Sequence, residues 1–395
     1  MGERVLVTGG SHAELPLIRS LHEMGYVVIT TGLNKDGLGH READLYIPAD
    51  FSNREAVLGI ARDQQVTGIV SGCNDFAYLS AAWASDALSL PGHDAFDVAC
   101  AVHHKDHFRK VLAAAGLPHP RFVVCESERD LQDARDSLSL PVVAKPTDLT
   151  GGKGVTICET WDEVRAAYVD ACTVSRRAGV VMEEFVRGSN HGVSALVVSG
   201  KVAFAFFDNE EYYLNPYLVS GAYAPSDLDD DIKVEVISQI DTVVRFLGLC
   251  DGLFHCQCIV QRDGTPYLID PCRRAPGDLY VDLVSHVTGI DYPKAIVKSE
   301  LGLGLTAGEY KPSAQRNIAR ECIMADQNGV VGEIRISPNY ESHIISRLVW
   351  GDTGDRIDDY LKYKAGIVFF EYDTPAELVD AMWLLRDHMQ IIVER

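Results

Sequence analysis

His255-Cys256-Gln257 is followed, thirteen positions after the Gln, by Asp270 in the run Leu268-Ile269-Asp270-Pro271-Cys272-Arg273-Arg274. Two short apolar segments flank the turn sequence Arg262-Asp263-Gly264, so the stretch reads as a β-hairpin that sets Gln257 beside Asp270. A carboxylate next to an amide oxygen suits a hard cation such as Mg²⁺, and an arginine pair just beyond suits phosphate or an acyl phosphate. The chemistry expected is that of a metal-nucleotide site. Strand alternation puts Gln257 and His255 on one face and Cys256 and Cys258 on the other, which assigns the cysteines to the core.

Two further segments carry groups of the same kind. Thr150-Gly151-Gly152-Lys153-Gly154 lies between two strands, five residues after Lys145. Glycines let backbone N–H groups approach phosphate oxygens, and a lysine on the preceding strand adds a point charge. No G-K-[ST] opens a helix, so this is not a Walker loop. Met182-Glu183-Glu184-Phe185-Val186 ends an apolar strand in two acids. A carboxylate there can accept from an adenine amino group, with the Phe185 to Val186 backbone reading the purine edge. Asn74-Asp75, at the end of a strand, reads equally as a helix N-cap and as a substrate contact.

These groups need elements to hold them. Residues 4–72 alternate strand and helix, the grammar of a parallel sheet covered on both faces. Ser52-Asn53-Arg54-Glu55 reads as a capping box. The turn Gly116-Leu117-Pro118-His119-Pro120 marks a boundary, after which strands and helices form an α+β unit. That unit includes a helix capped by Ser127, a strand from Gly154 to Cys158 and a capping box at Thr160-Trp161-Asp162-Glu163. A long loop from Asp208 to about Asp230 reads as a substrate cover. Strands around residues 319–325, 332–336 and 366–370 precede a terminal helix capped by Thr374 with Pro375 at its first position.

At 395 residues the chain calls for two or three domains. The net charge of -21 excludes a sequence-independent nucleic-acid binder, which needs a basic surface. No apolar run reaches the roughly 18 residues of a membrane span, and the N-terminus reads straight into a strand, so a cytoplasmic protein with no membrane partner is expected. Ten scattered cysteines read as reduced, buried thiols rather than zinc ligands. His103-His104-Lys105-Asp106-His107 reads as a solvated helix start.

Taken in order, these pieces resemble the ATP-grasp superfamily of carboxylate-amine ligases, with L-amino acid ligases and biotin carboxylase among its members. The resemblance implies α/β and α+β architecture: a pre-ATP-grasp domain at 1–102, an ATP-grasp domain at 103–300 with a nucleotide lobe at about 118–186, and a closing domain at 301–395. It implies ATP with Mg²⁺, Mn²⁺ being admissible. Lys105 and Lys145 match the phosphate lysines, Gly151, Gly152, Lys153 and Gly154 the phosphate loop, and Glu183, Glu184, Phe185 and Val186 the adenine segment. Asn190 stands where an acid usually binds the ribose. Asp270 and Gln257 match the metal pair, Cys272 a metal-binding Asn, and Arg274 the arginine of the acyl phosphate. Arg273 shares the oxyanion role; Asn74, Asp75, Gly277 and Asp278 border the substrates.

The implied activity activates a small carboxylic acid as an acyl phosphate and joins it to an amine, giving an amino acid or peptide-like product with release of ADP and phosphate. Gln257 and Cys272 depart from the family pattern and support an alternative, a nucleotide-binding homologue with impaired or no turnover. A nicotinamide oxidoreductase using Val7-Thr8-Gly9-Gly10 lacks the third glycine of that fingerprint. Small-molecule partners are expected, with a homodimer allowed.

Overall fold

The computed structural model describes residues 2–394. Strands Arg4–Thr8, Val27–Gly32, Leu45–Pro48 and Gly68–Ser71 pair in parallel, with Arg4–Thr8 between Val27–Gly32 and Gly68–Ser71. Val5, Leu6 and Val7 are wholly buried, as expected of strands covered on both faces. The order changes direction between Arg4–Thr8 and Gly68–Ser71, so the turn that holds Asn74 and Asp75 lies at the switch point, where open α/β sheets place ligands.

The next lobe is an antiparallel sheet in which Val180–Glu184 lies between Phe122–Cys125 and Val142–Pro146, with Thr156–Cys158 at the edge. Val142, Ala144, Val180 and Met182 pack with Ala134, Val164, Ala167 and Ala171 of the two covering helices. Alternation therefore sends Lys145 and Glu183 to the opposite face. Lys145 registers with Val181, which makes Glu183 its diagonal neighbour.

The hairpin read from the sequence is present as Gly252–Val260 and Pro266–Cys272 around the turn at 262–264, and Gly252–Val260 pairs on its other side with Ser189–Val198. Cys256 and Cys258 are fully buried. The chain divides into two compact units, one of residues 1–206, 228–277 and 293–310, the other of 207–227, 278–292 and 311–395. The first unit joins what the sequence divides at residue 102. In the second, Asn317–Met324 pairs with Val219–Ala224 and Lys364–Tyr372, and the core gathers Ile323, Val368, Phe370, Leu378 and Leu385 under the terminal helix Pro375–His388.

Several local expectations change. The capping boxes at Thr160 and Thr374 form. Ser52 is not a cap, because Asn53 accepts from the amides of Glu55 and Ala56 while Ser52 turns to Asp50. Ser127 does not cap its helix either; Asp130, in the first turn, accepts from the amides of Glu126 and Ser127. The loop expected from Asp208 is largely a hairpin, with strand Lys201–Tyr212 returning as Val219–Ala224. Pairing of the two strands satisfies backbone groups that a loop would leave to water.

Candidate functional site

The helix Lys105–Ala114 begins at the histidine-rich run, which is not solvated: His103, His104, Lys105 and Asp106 are all buried. Lys105 sits at the first turn, its amide bonded to the carbonyl of Thr147. Its ammonium donates to Leu149 O at 2.7 Å, just ahead of the glycine-rich loop, and stands 3.7 Å from Asp270 Oδ2. The loop supplies three left-handed residues, Gly151, Gly152 and Gly154, with φ of +65°, +69° and +71°. At Gly154 a Cβ would approach Pro146 Cγ to 2.7 Å and Val174 Cγ2 to 2.8 Å, so both backbone and space demand glycine. Lys153 is exposed beside it.

Asp270 owes its position to an irregularity in the hairpin. Cys256 pairs with Pro271 and Cys258 with Leu268, which leaves Ile269 and Asp270 together opposite Gln257. Such a bulge bends the strand and re-aims a side chain. Burial alone would raise the Asp270 carboxyl, but Lys105, Lys145 and Arg109 outweigh it and hold the group at about 2. Oδ1 of this ionised carboxylate is buried without a hydrogen-bond partner.

That orphaned oxygen fits a hard cation. Among the described residues no group of three or more His, Cys, Asp or Glu side chains is arranged to hold a metal, so a Mg²⁺ ion at Asp270 would be offered one carboxylate and would draw the rest of its shell from amide, phosphate and water oxygens, as Mg²⁺ commonly does. Half-buried Gln257 is the neighbouring amide. Cys272 does not fit: burial pushes its thiol up to about 11, and Sγ donates to Arg274 O at 3.5 Å.

Several residues read from the sequence as ligand contacts have partners within the protein. Glu183, expected to meet adenine, is buried, with Lys145 Nζ at 2.5 Å and Arg109 Nε at 2.8 Å. Burial raises it, yet Arg109 and Lys145 bring it below its usual range, making it the counter-ion of two cations. Glu184 accepts from the amide of Ser139 at 2.8 Å, and the Phe185 amide expected to read a purine edge donates to Pro141 O at 2.9 Å. Val186 is buried just beyond, and Asn190 lies exposed near the start of its strand.

The arginine pair divides its work. Arg274 is largely buried and donates through Nε to Asp75 Oδ1 at 2.8 Å. Asp75, also 3.4 Å from His103, is raised by burial but lowered further by Arg274 and His103, to well under the usual carboxylate range. Asn74 is the N-cap of the helix Asp75–Leu88, accepting from Phe76 N. The acid offered as a substrate contact thus positions Arg274.

Arg273, expected to share the oxyanion role, is inside the protein. Its Nε meets Asp94 at 2.8 Å, its terminal nitrogens donate to Leu253 O and Cys250 O, and its amide donates to His103 Nε2. Arg273→Met is expected to cost about 3–5 kcal/mol of stability by leaving Asp94 buried and uncompensated. Urea unfolding checks this, and wild-type stability would contradict it. Gly277 ends the first unit. Asp278 belongs to the second, where it adopts a φ of +56° and pairs with Lys364 at 2.5 Å.

Sequence reasoning passed over Arg109. It is completely buried, joins Glu183 to the carbonyl of Ile269, and lies one turn beyond Lys105 on the same helix face. The i, i+4 spacing from Lys105 was the available signal.

The ATP-grasp family model matches residues 110–267. The chain carries an ATP-grasp domain. Much of the geometry above falls within it, from Lys145 and the glycine-rich loop to Glu183 and Gln257, while Lys105 and Asp270 stand just outside the matched limits. The fold of the chain agrees: an L-amino acid ligase from Bacillus licheniformis superposes with a TM-score of 0.85 at 20% identity, over 100% of this chain and 99% of that one. A cyanophycin synthetase from Synechocystis is 37% identical over 257 residues, covering 61% of this chain and 28% of that protein. A D-alanine–D-alanine ligase from Streptococcus equi subsp. zooepidemicus is 26% identical over 204 residues, 48% and 57% respectively. The chain thus spans under two thirds of the length of these curated relatives. No helix among the described residues is long and apolar enough to cross a membrane.

Proposed function

We propose that this ATP-grasp chain is an ATP-dependent ligase that activates a small carboxylic acid as an acyl phosphate and joins it to an amine. The observation that carries the proposal is Asp270 Oδ1: a buried, ionised oxygen with no partner, close to Lys105 and on the hairpin that leads to Arg274. A phosphate group and a hard cation supply what that arrangement lacks. The names of two of these proteins, a D-alanine–D-alanine ligase and an L-amino acid ligase, support an amino acid among the substrates.

In the proposed reaction, a carboxylate oxygen attacks the γ-phosphorus of ATP, the bond to the bridging oxygen breaks, and ADP leaves with that oxygen. Lys105 and Lys145 neutralise charge on the transferring group, and the amides of Gly151, Gly152 and Gly154 cradle phosphate oxygens. A Mg²⁺ held by Asp270, with Gln257 adjacent, supplies Lewis-acid stabilisation when bound. The amine nitrogen then attacks the acyl carbon and loses a proton; the carbon–oxygen bond to phosphate breaks, and phosphate departs with one oxygen of the original carboxylate. Arg274, aimed by Asp75, stabilises the tetrahedral oxyanion. Residues 1–102, 103–300 and 301–395 are the proposed functional divisions.

The test is phosphate release from ATP across a panel of acids and amines, each pair assayed with and without its amine. Release that requires both supports the ligase. Nucleotide and Mg²⁺ binding without release across the panel supports the second reading, a homologue without turnover, which Gln257 and Cys272 favour. Gln257→Glu places a second carboxylate opposite the bulge and is expected to tighten Mg²⁺ binding by about tenfold. Titration calorimetry measures this; unchanged affinity would place residue 257 outside the coordination shell.

A further inference from the structure

Arg109 is the one large cation buried to 0% exposure in the first unit, among the described residues, and such a charge is costly to bury unless its donors are all aimed at acceptors. Here the acceptors come from two different strands. Nε and one terminal nitrogen face the two Glu183 oxygens at 2.8 and 3.4 Å, and the other terminal nitrogen donates to Ile269 O at 2.7 Å. Glu183 in turn holds Lys145. Ile269 O belongs to the peptide that joins Ile269 to Asp270, inside the bulge where neither residue pairs with Gly252–Val260. A bulge leaves such a peptide without its ladder partner.

We infer that Arg109 is a positioning residue: its guanidinium fixes the Ile269–Asp270 peptide and so the direction of the Asp270 carboxylate, and ties it to the Glu183–Lys145 pair. This rests on the reading of Asp270 as a cation ligand. The planar fork matters, because three acceptors on two strands need donors at fixed angles, and a lysine offers one mobile nitrogen. Lys105, four residues earlier on the same helix, reaches Asp270 Oδ2 directly. One helix face therefore sets the carboxylate from two sides, by charge at the side chain and by hydrogen bond at the backbone. Loss of a hydrogen-bonding partner behind a metal ligand commonly weakens metal affinity 10–100-fold.

The experiment titrates Mn²⁺, followed by electron paramagnetic resonance, into the full chain with ADP present, for wild type, Arg109→Lys and Arg109→Ala, alongside thermal unfolding. The expected result is a 10–100-fold weaker Mn²⁺ affinity in both variants, with Arg109→Ala regaining affinity on addition of methylguanidine. A purely structural role predicts lower melting temperatures with Mn²⁺ affinity within twofold of wild type, and that result overturns the inference. If Arg109→Ala does not fold, as judged by circular dichroism, the charge-preserving Arg109→Lys decides between the same two outcomes. Wild type that fails to bind Mn²⁺ with ADP overturns the reading of the site itself, whereas wild-type binding with indifferent variants overturns only the role of Arg109.

Discussion

Asp270→Asn is expected to lower ATP-dependent phosphate transfer by roughly 10³-fold while leaving the fold intact. The substitution is isosteric, so the bulge opposite Gln257 and the packing of Ile269 are kept. What changes is charge: the carboxylate held at about 2 by Lys105, Lys145 and Arg109 becomes neutral, and the three cations lose their shared counter-charge. An amide oxygen ligates Mg²⁺ more weakly than a carboxylate, and with no cluster of three acidic or imidazole ligands among the described residues there is no ready substitute. ADP formation and Mn²⁺ binding should fall together. Turnover within threefold of wild type would show that a metal, if used, is held elsewhere.

Lys145→Met is the second large expected effect, about 10²-fold in kcat with weaker ATP binding. Lys145 lies on the face of Val142–Pro146 opposite the helix-packed Val142 and Ala144, so the change does not disturb the core. Glu183 keeps Arg109 as a counter-ion at 2.8 Å, and the fold is expected to survive with a modest loss of stability. Steady-state kinetics on the variant, paired with a melting curve, separates the two effects. Wild-type kcat and ATP affinity would remove Lys145 from the phosphate site.

The elements that carry these residues were legible where local chemistry is strong. Capping boxes at Thr160 and Thr374, the period-2 alternation around Cys256 and Cys258, and the apolar strands of the first sheet all follow from short-range rules. The candidate residues Lys105, Lys145, Asp270 and Arg274 could be named from the sequence, and all four lie buried or half-buried in the first unit. What could not be read was which charges neutralise one another. Glu183 looked available at a strand end, but its oxygens face Arg109 and Lys145, a pairing between a helix and two strands far apart in sequence. Arg273 and Arg274 are adjacent in sequence and both largely buried, yet one meets Asp94 and the other Asp75, because the chain bends just past the strand end at Cys272 and sends the two side chains to different partners. The histidine run reads as polar and exposed, yet His103 and His104 are buried, and His103 meets the Arg273 amide and Asp75.

The acyl phosphate is the center of this account, and oxygen transfer tests it most directly. With a substrate carboxylate labelled in both oxygens with ¹⁸O, the phosphate released by the wild-type chain is analysed by mass spectrometry. The expected result is one ¹⁸O in each phosphate formed, since the oxygen that attacks the γ-phosphorus leaves with it when the amine displaces phosphate. Phosphate free of label, formed while the amide product accumulates, would contradict an acyl phosphate and with it the assignment of Lys105, Lys145, Asp270 and Arg274 to its formation.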